Sequence, residues 1–305
     1  MSYSFHPGWS PTFASTAKTG PSYLQLTVGA GDPFASDDRP LPPSFSLARF
    51  REWPFDQGAV GSCFANAATQ SFQIHTKADI ATGASWESVE LSRRIVWYQG
   101  RKLDGLLGSR SDGGSVTNAL AALAEPPHGV GCCKEAAWPY RPDHRWLEET
   151  PPPTVFAEAS QNRLTKVADV SIGADWQKAI VNGHPVAIGI WWPYGWDAQG
   201  ATFIDSIGRG EYGHALCVIG WLDRAGVLYW QIENSHGPIY KPLPADLAAA
   251  VPGYVPARPD ATFDFWVRDD LLRKVVGYGQ SEAVAAAGMS GFQNRNLVDW
   301  FGMMG

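Results

Sequence analysis

The sequence predicts an α+β protein, and three observations predict it. Apolar residues recur at helical spacing in the first half of the chain. Short apolar runs bounded by turn residues dominate after Pro151-Pro152-Pro153. Helices followed by strands, not alternating with them, are the mark of an α+β fold, here expected as two lobes.

Each element follows in chain order. Residues 1–40 are rich in Ser, Thr, Pro and Gly, lack helical periodicity and read as an extended arm. Residues 41–58 read as coil and turns. From Ser62 to Lys77, Phe64, Ala68 and Phe72 recur at i+4 with Ala67, Ser71 and Ile74 beside them. That is a helix with one apolar face, entered through Gly61-Ser62. Leu91–Leu103 and Ser115–Ala124 are the next two helices, the latter opened by Asp112-Gly113-Gly114. Strands are expected at Val167–Ile172, Pro185–Trp192, Ala215–Trp221 and Val227–Glu233, with a helix over Asp175–Asn182. Residues 268–288 carry weak helical patterning, and the tail Asn296–Gly305 is apolar. The expected division is an arm at 1–40, a domain at 41–266 and an extension at 267–305 ending in a docking tail.

Composition narrows the function. Lys plus Arg number 24 and Asp plus Glu 30, a net charge of −6 over 305 residues, with no basic cluster. Nucleic-acid phosphates need clustered cations, so a nucleic-acid partner is not expected. Four cysteines are too few for a disulfide scaffold. The opening Met1–Phe13 has no basic start and no apolar run, so no secretory signal is expected. No apolar stretch approaches the roughly 18 residues of a membrane span. Synthesis in the cytoplasm with reduced thiols is the expectation, with later export or incorporation into a particle left open.

Three segments carry chemistry. Asp56-Gln57-Gly58-Ala59-Val60-Gly61-Ser62-Cys63-Phe64 puts a cysteine at a helix start after a glycine turn. The unpaired N–H groups there favour the thiolate, which is the nucleophilic form. Tyr212-Gly213-His214-Ala215 puts a histidine at the mouth of an apolar strand, and Glu233-Asn234-Ser235-His236-Gly237 ends the next strand in a turn.

Together these segments resemble the papain family of cysteine peptidases, in its bacterial and phage-type branch. The motif around Cys63 matches the family's Q-G-x-x-G-S-C-x-A, and Gln57 stands six residues before Cys63. His214 follows Cys63 by 151 residues and Asn234 follows His214 by 20, at or just past the usual spacing. Gly-His-Ala, Asn-Ser-x-Gly and Ala137-Trp138-Pro139-Tyr140 add to the likeness, which spans residues 41–266. The resemblance implies a two-lobed fold, a helical lobe beside a β-sheet or barrel lobe with a cleft between, and hydrolysis of peptide bonds in a polypeptide substrate. It implies Cys63 as nucleophile, His214 as imidazolium proton carrier, Asn234 as its orienting partner and Gln57 as oxyanion donor. Gly113, Gly114 and Gly213 are implied as substrate-binding. No metal and no cofactor are implied.

The chain departs from the family in several places. His236 stands where the family has a tryptophan that shields the Asn–His bond. Val60 and Ser111 stand at the positions of a family disulfide, and Asn66 occupies an ordinarily apolar site. Cys132-Cys133, with His128 and His144 nearby, lacks the spacing of a structural zinc site and reads as two free thiols. The Trp191, Trp192 and Trp196 group fits packing better than ligand stacking. Two other functions stay open: a papain-fold structural or binding component of a larger assembly with little activity, and an acyl-transfer relative. Residues 1–40 could lie along the cleft or anchor to a partner, and residues 296–305 could dock on another subunit.

Overall fold

A computed structural model describes residues 40–84, 87–124, 126, 129–170, 172–197, 200–276 and 282–289. The chain enters as strand β1 (Ser44–Ser46) and a single 3₁₀ turn at Ala48–Phe50. Helix α1 (Cys63–Ala81) follows, buried on nearly every side along its first thirteen residues. An all-round buried helix belongs at the centre of a fold, and α1 reaches both hydrophobic cores. Phe64, Ala68 and Phe72 pack into one, and Ile74 and Ala78 into the other.

The first core lies among helices. Helix α2 (Arg93–Asp104) and helix α3 (Val116–Leu123) pack on α1 through Ile95, Trp97, Val116 and Leu120. Ser115 caps α3 by accepting from Asn118 N at 3.2 Å, and Gly105 closes α2 in the left-handed region at φ 71°. Two short helices, α4 (His144–Leu147) and α5 (Pro153–Ala159), complete this lobe. Pro153 opens α5, as proline suits a first helical turn, so the proline run starts a helix rather than only separating lobes.

The second core is built on one eight-stranded sheet. Its strands are β1, β2 (Leu164–Asp169), β3 (Val186–Pro193), β4 (Phe203–Ile204), β5 (Gly210–Arg224), β6 (Val227–Glu233), β7 (Asp264–Arg268) and β8 (Glu282–Met289). Their order is β2-β8-β3-β5-β6-β7-β4, with β1 on β5, and every pairing is antiparallel except β4 with β7. Helix α6 (Ala174–Val181) packs on the sheet through Trp176 and Ile180, and helix α7 (Ala245–Ala249) lies between β6 and β7. The β5–β6 hairpin turns on Ala225 and Gly226, both at positive φ, the two-residue turn whose twist suits a hairpin.

Two expectations are corrected here. The break expected after residue 266 falls inside β7, and helix α8 (Asp269–Val276) then packs Leu271, Leu272 and Val275 into the sheet core. The helical patterning over 268–288 holds only through α8, because residues 282–289 form strand β8. β8 lies between β2 and β3 and pairs with both. Ladder bonds on both edges override the helix preference of an alanine-rich segment. The sheet therefore runs through Met289. The arm at 1–39 and the tail at 296–305 lie outside the described residues, as does His128.

Candidate active site

Cys63 is the first residue of α1, and the hydroxyl of the preceding Ser62 does not cap the helix. That hydroxyl turns instead to the Tyr140 hydroxyl at 2.6 Å. Tyr140 also donates to the Gln57 carbonyl at 2.8 Å, and Asn66 donates to the Ser62 carbonyl at 2.9 Å. The Arg93 guanidinium lies between the Phe55 and Tyr140 rings, 4.4 and 4.1 Å from their centroids, and donates to Asp56 O and Asn66 Oδ1. The glycine turn before Cys63 is thus held from two helices. Asn66, polar where the family is apolar, is part of that hold.

Strand β5 brings His214 to the same place. Ala215 N–H, the next backbone donor after His214, points at Cys63 Sγ at 3.3 Å. His214 Nε2 meets Asn234 Oδ1 at 2.8 Å. The same oxygen accepts from Ser235 N–H at 2.8 Å, and Asn234 Nδ2 donates to the Tyr240 hydroxyl at 2.9 Å. A backbone N–H can only donate, so the acceptor end of the amide faces His214. His214 Nε2 must then carry a hydrogen, which leaves Nδ1 as the basic nitrogen of the neutral ring.

Burial pushes the His214 imidazole well below its ordinary value, and the charge of His236 adds to that. The Asn234 bond and the Asp197 charge act the other way. Cys63 and His214 are 0% and 1% exposed.

Gln57 is also buried. Its Nε2 donates to Val60 O at 3.0 Å, and its Oε1 accepts from the Ser235 hydroxyl at 2.7 Å. Its backbone N–H donates to Ser235 O at 2.9 Å. The cysteine turn and the Asn-Ser turn are therefore tied directly together.

The glycines divide. Gly213 sits in β5 opposite Trp191 of β3. A side chain on Gly114 would lie 2.7 Å from the Phe64 ring, so close packing on α1 is what requires glycine there. The Gly113 carbonyl accepts from buried Arg101 at 2.7 Å, and its N–H donates to the Ser111 hydroxyl at 3.3 Å, so both its backbone groups are engaged within the chain. His144 bonds the Asp112 carboxylate and so braces this loop.

Sequence reasoning missed Asp197, Arg93 and Tyr240, and it read Tyr140 only as part of a motif. Trp192 was read as packing, and its indole stands edge-on to His214 at 4.8 Å. His236 does occupy the shielding place, stacked on His214 at 4.2 Å and 29°. None of the four cysteines forms a disulfide. Cys132 and Cys133 are buried, and burial pushes both thiols up, Cys133 to about 12. No helix among the described residues is long and apolar enough to cross a membrane.

Solved structures share this fold. The chain resembles solved structures of xylellain, a cysteine protease from Xylella fastidiosa, at 20% identity and a TM-score of 0.61, covering 84% of this chain and 88% of that one. The proform of the ragweed pollen cysteine protease Amb a 11 aligns at 18% identity and a TM-score of 0.62, covering 92% and 75%. Digestive procathepsin L 3 from Tenebrio molitor larval midgut aligns at 16% identity and a TM-score of 0.60, covering 86% and 76%. These likenesses speak to the fold. No curated protein sequence matches. The model of the papain family cysteine proteases matches residues 52–241, well over half of the chain. With the two-lobed α+β fold, that match places this chain in the papain family of cysteine proteases.

Proposed function

We propose that Cys63, His214, Asn234 and Gln57 are the residues with which this cysteine endopeptidase cleaves polypeptides. The observation that carries the assignment is the Ala215 N–H directed at Cys63 Sγ, one residue from the His214–Asn234 bond. Cys63 passes its proton to His214 Nδ1 and adds to the peptide carbonyl as thiolate. Asn234 holds the resulting imidazolium through Nε2. The carbonyl oxygen becomes an oxyanion, met by the Cys63 backbone N–H and by Gln57 Nε2, which has a second hydrogen besides the one on Val60 O. His214 returns the proton to the leaving amine. Water then attacks the thioester, giving its proton to His214, and the thiol is released. Gly114 and Gly213 are proposed to pair with the substrate backbone. Gly113 has less to offer, since its own groups are engaged.

Residues 1–40 are proposed to cover the cleft, because a segment rich in Ser, Thr, Pro and Gly without helical periodicity can lie extended along it. One experiment tests both points. An epoxysuccinyl thiol-protease inhibitor is added to the full chain and to a form lacking residues 1–40, and adducts are located by mass spectrometry. Labelling at Cys63 that requires His214, and is faster in the shortened form, is expected. A Cys63→Ala variant that still cleaves a peptide overturns the catalytic assignment. Equal labelling rates overturn the cover and leave the arm as a partner anchor.

A further inference from the structure

The Asp197 carboxylate, in the turn after β3, organises the surroundings of His214. Its Oδ1 accepts from His236 Nδ1 at 2.8 Å. Its Oδ2 accepts from Trp192 Nε1 at 2.8 Å and from the Tyr212 hydroxyl at 3.2 Å. All three donors belong to rings around His214. His236 is stacked on it at 4.2 Å, Trp192 stands edge-on at 4.8 Å, and Tyr212 is at 6.3 Å. One carboxylate therefore fixes three walls of the imidazole's enclosure.

Two imidazoles this close resist double protonation, as two carboxylates sharing a site resist double ionisation. Titratable groups from several elements face the pair among the described residues. Cys63 comes from α1, Tyr212 from β5, Asp197 from the turn after β3, and Tyr240 stands behind Asn234. Burial pushes both phenols up and keeps them neutral. Asp197 is thus the resident anion beside the two rings.

We infer that Asp197 and His236 are positioning residues for His214: the carboxylate holds the His236 ring flat on the catalytic imidazole, and the stacked pair carries one proton, not two. This rests on the reading of His214 as proton carrier. His236 Nδ1–H can donate to Asp197 whether the ring is charged or not, so the stack survives a change of charge. A proton on His236 opposes one on His214, and its loss lets His214 take one. The directions of titration agree. Burial lowers His214 and the charge of His236 lowers it further. Burial works to raise Asp197, but the bond and charge of His236 hold it below the usual carboxylate value.

The test is a pH titration of the imidazole NMR signals in the full chain, with His214 and His236 assigned by substitution. In the unaltered protein the two signals are expected to move together in two coupled steps. In His236→Trp the coupling disappears and the His214 midpoint moves to higher pH. In Asp197→Asn the His214 midpoint moves to lower pH, because its charged form loses the carboxylate that favours it. His236→Gln, which can still donate to Asp197, serves as a second uncharged variant should the tryptophan not fit. The limbs of the kcat/KM profile are expected to move with these midpoints. A His214 midpoint that is the same in the unaltered protein and in either folded His236 variant overturns the inference. Inhibitor labelling at Cys63 is a separate readout. If it fails while the signals remain coupled, the catalytic assignment falls and the shared proton stands.

Discussion

At the residue scale, the site depends on which atom of each amide faces inward. Asn234 presents its oxygen to His214 because Ser235 N–H already points at that oxygen. Gln57 is placed by the same turn, through the Ser235 hydroxyl and carbonyl. Replacing Gln57 with alanine removes the proposed oxyanion donor, and kcat on a peptide substrate is expected to fall by about 10²–10³-fold. A variant that folds and keeps its kcat would remove Gln57 from the oxyanion site. Cys63, His214, Asn234 and Gln57 were legible because each sits in a short local motif. Asp197 was not legible, since it meets His236 from 39 residues away and no local pattern marks it.

At the scale of elements, α1 and β5 bring Cys63 and His214 together. α1 presents Cys63 at its first position, and β5 places His214 opposite Ile190 of β3 with Ala215 against Cys63. The helix periodicity of α1 was readable, although its burial on all sides was not. Its polar residues suggest a solvent face, but Ser71, Gln73 and Asn66 are buried and bonded to Pro185, Leu91 and Ser62. The close fit of α1 against the Asp-Gly-Gly loop carries a prediction. Gly114→Ala puts a methyl 2.7 Å from the Phe64 ring. Such overpacking is expected to cost about 1–3 kcal/mol, read as a lower urea midpoint with an unchanged slope. An unaltered midpoint would mean that Phe64 moves aside freely.

At the scale of the whole molecule, buried carboxyls set how stability responds to pH. Burial pushes Glu233 up from 4.5 to about 7, and the nearby Asp264 adds to this against the pull of Arg51. Burial likewise brings Glu135 to about 7, helped by Glu90. Both groups bind a proton more tightly in the folded chain than in the unfolded one. Their contribution is therefore full below about 4.5 and is lost as the pH rises to about 7. Urea unfolding across that window is expected to show a flatter loss of stability in Glu233→Gln than in the unaltered chain. An identical pH slope would show that Arg51 keeps Glu233 ionised in the folded state.

The α+β class, the first three helices and four of the strands followed from periodicity and turn residues, which are local properties of the chain. So did the candidate site, because a cysteine at a helix start and a histidine at a strand mouth each need only a few neighbouring residues. The central place of β8 did not follow. Its alanines favour a helix in isolation, and only β2 and β3 on either side supply the backbone bonds that make it a strand. The enclosure of His214 by Asp197, Trp192 and His236 was likewise a product of topology. It needs the turn after β3, strand β5 and the turn after β6 to meet, and separations of that length are decided by packing rather than by local sequence.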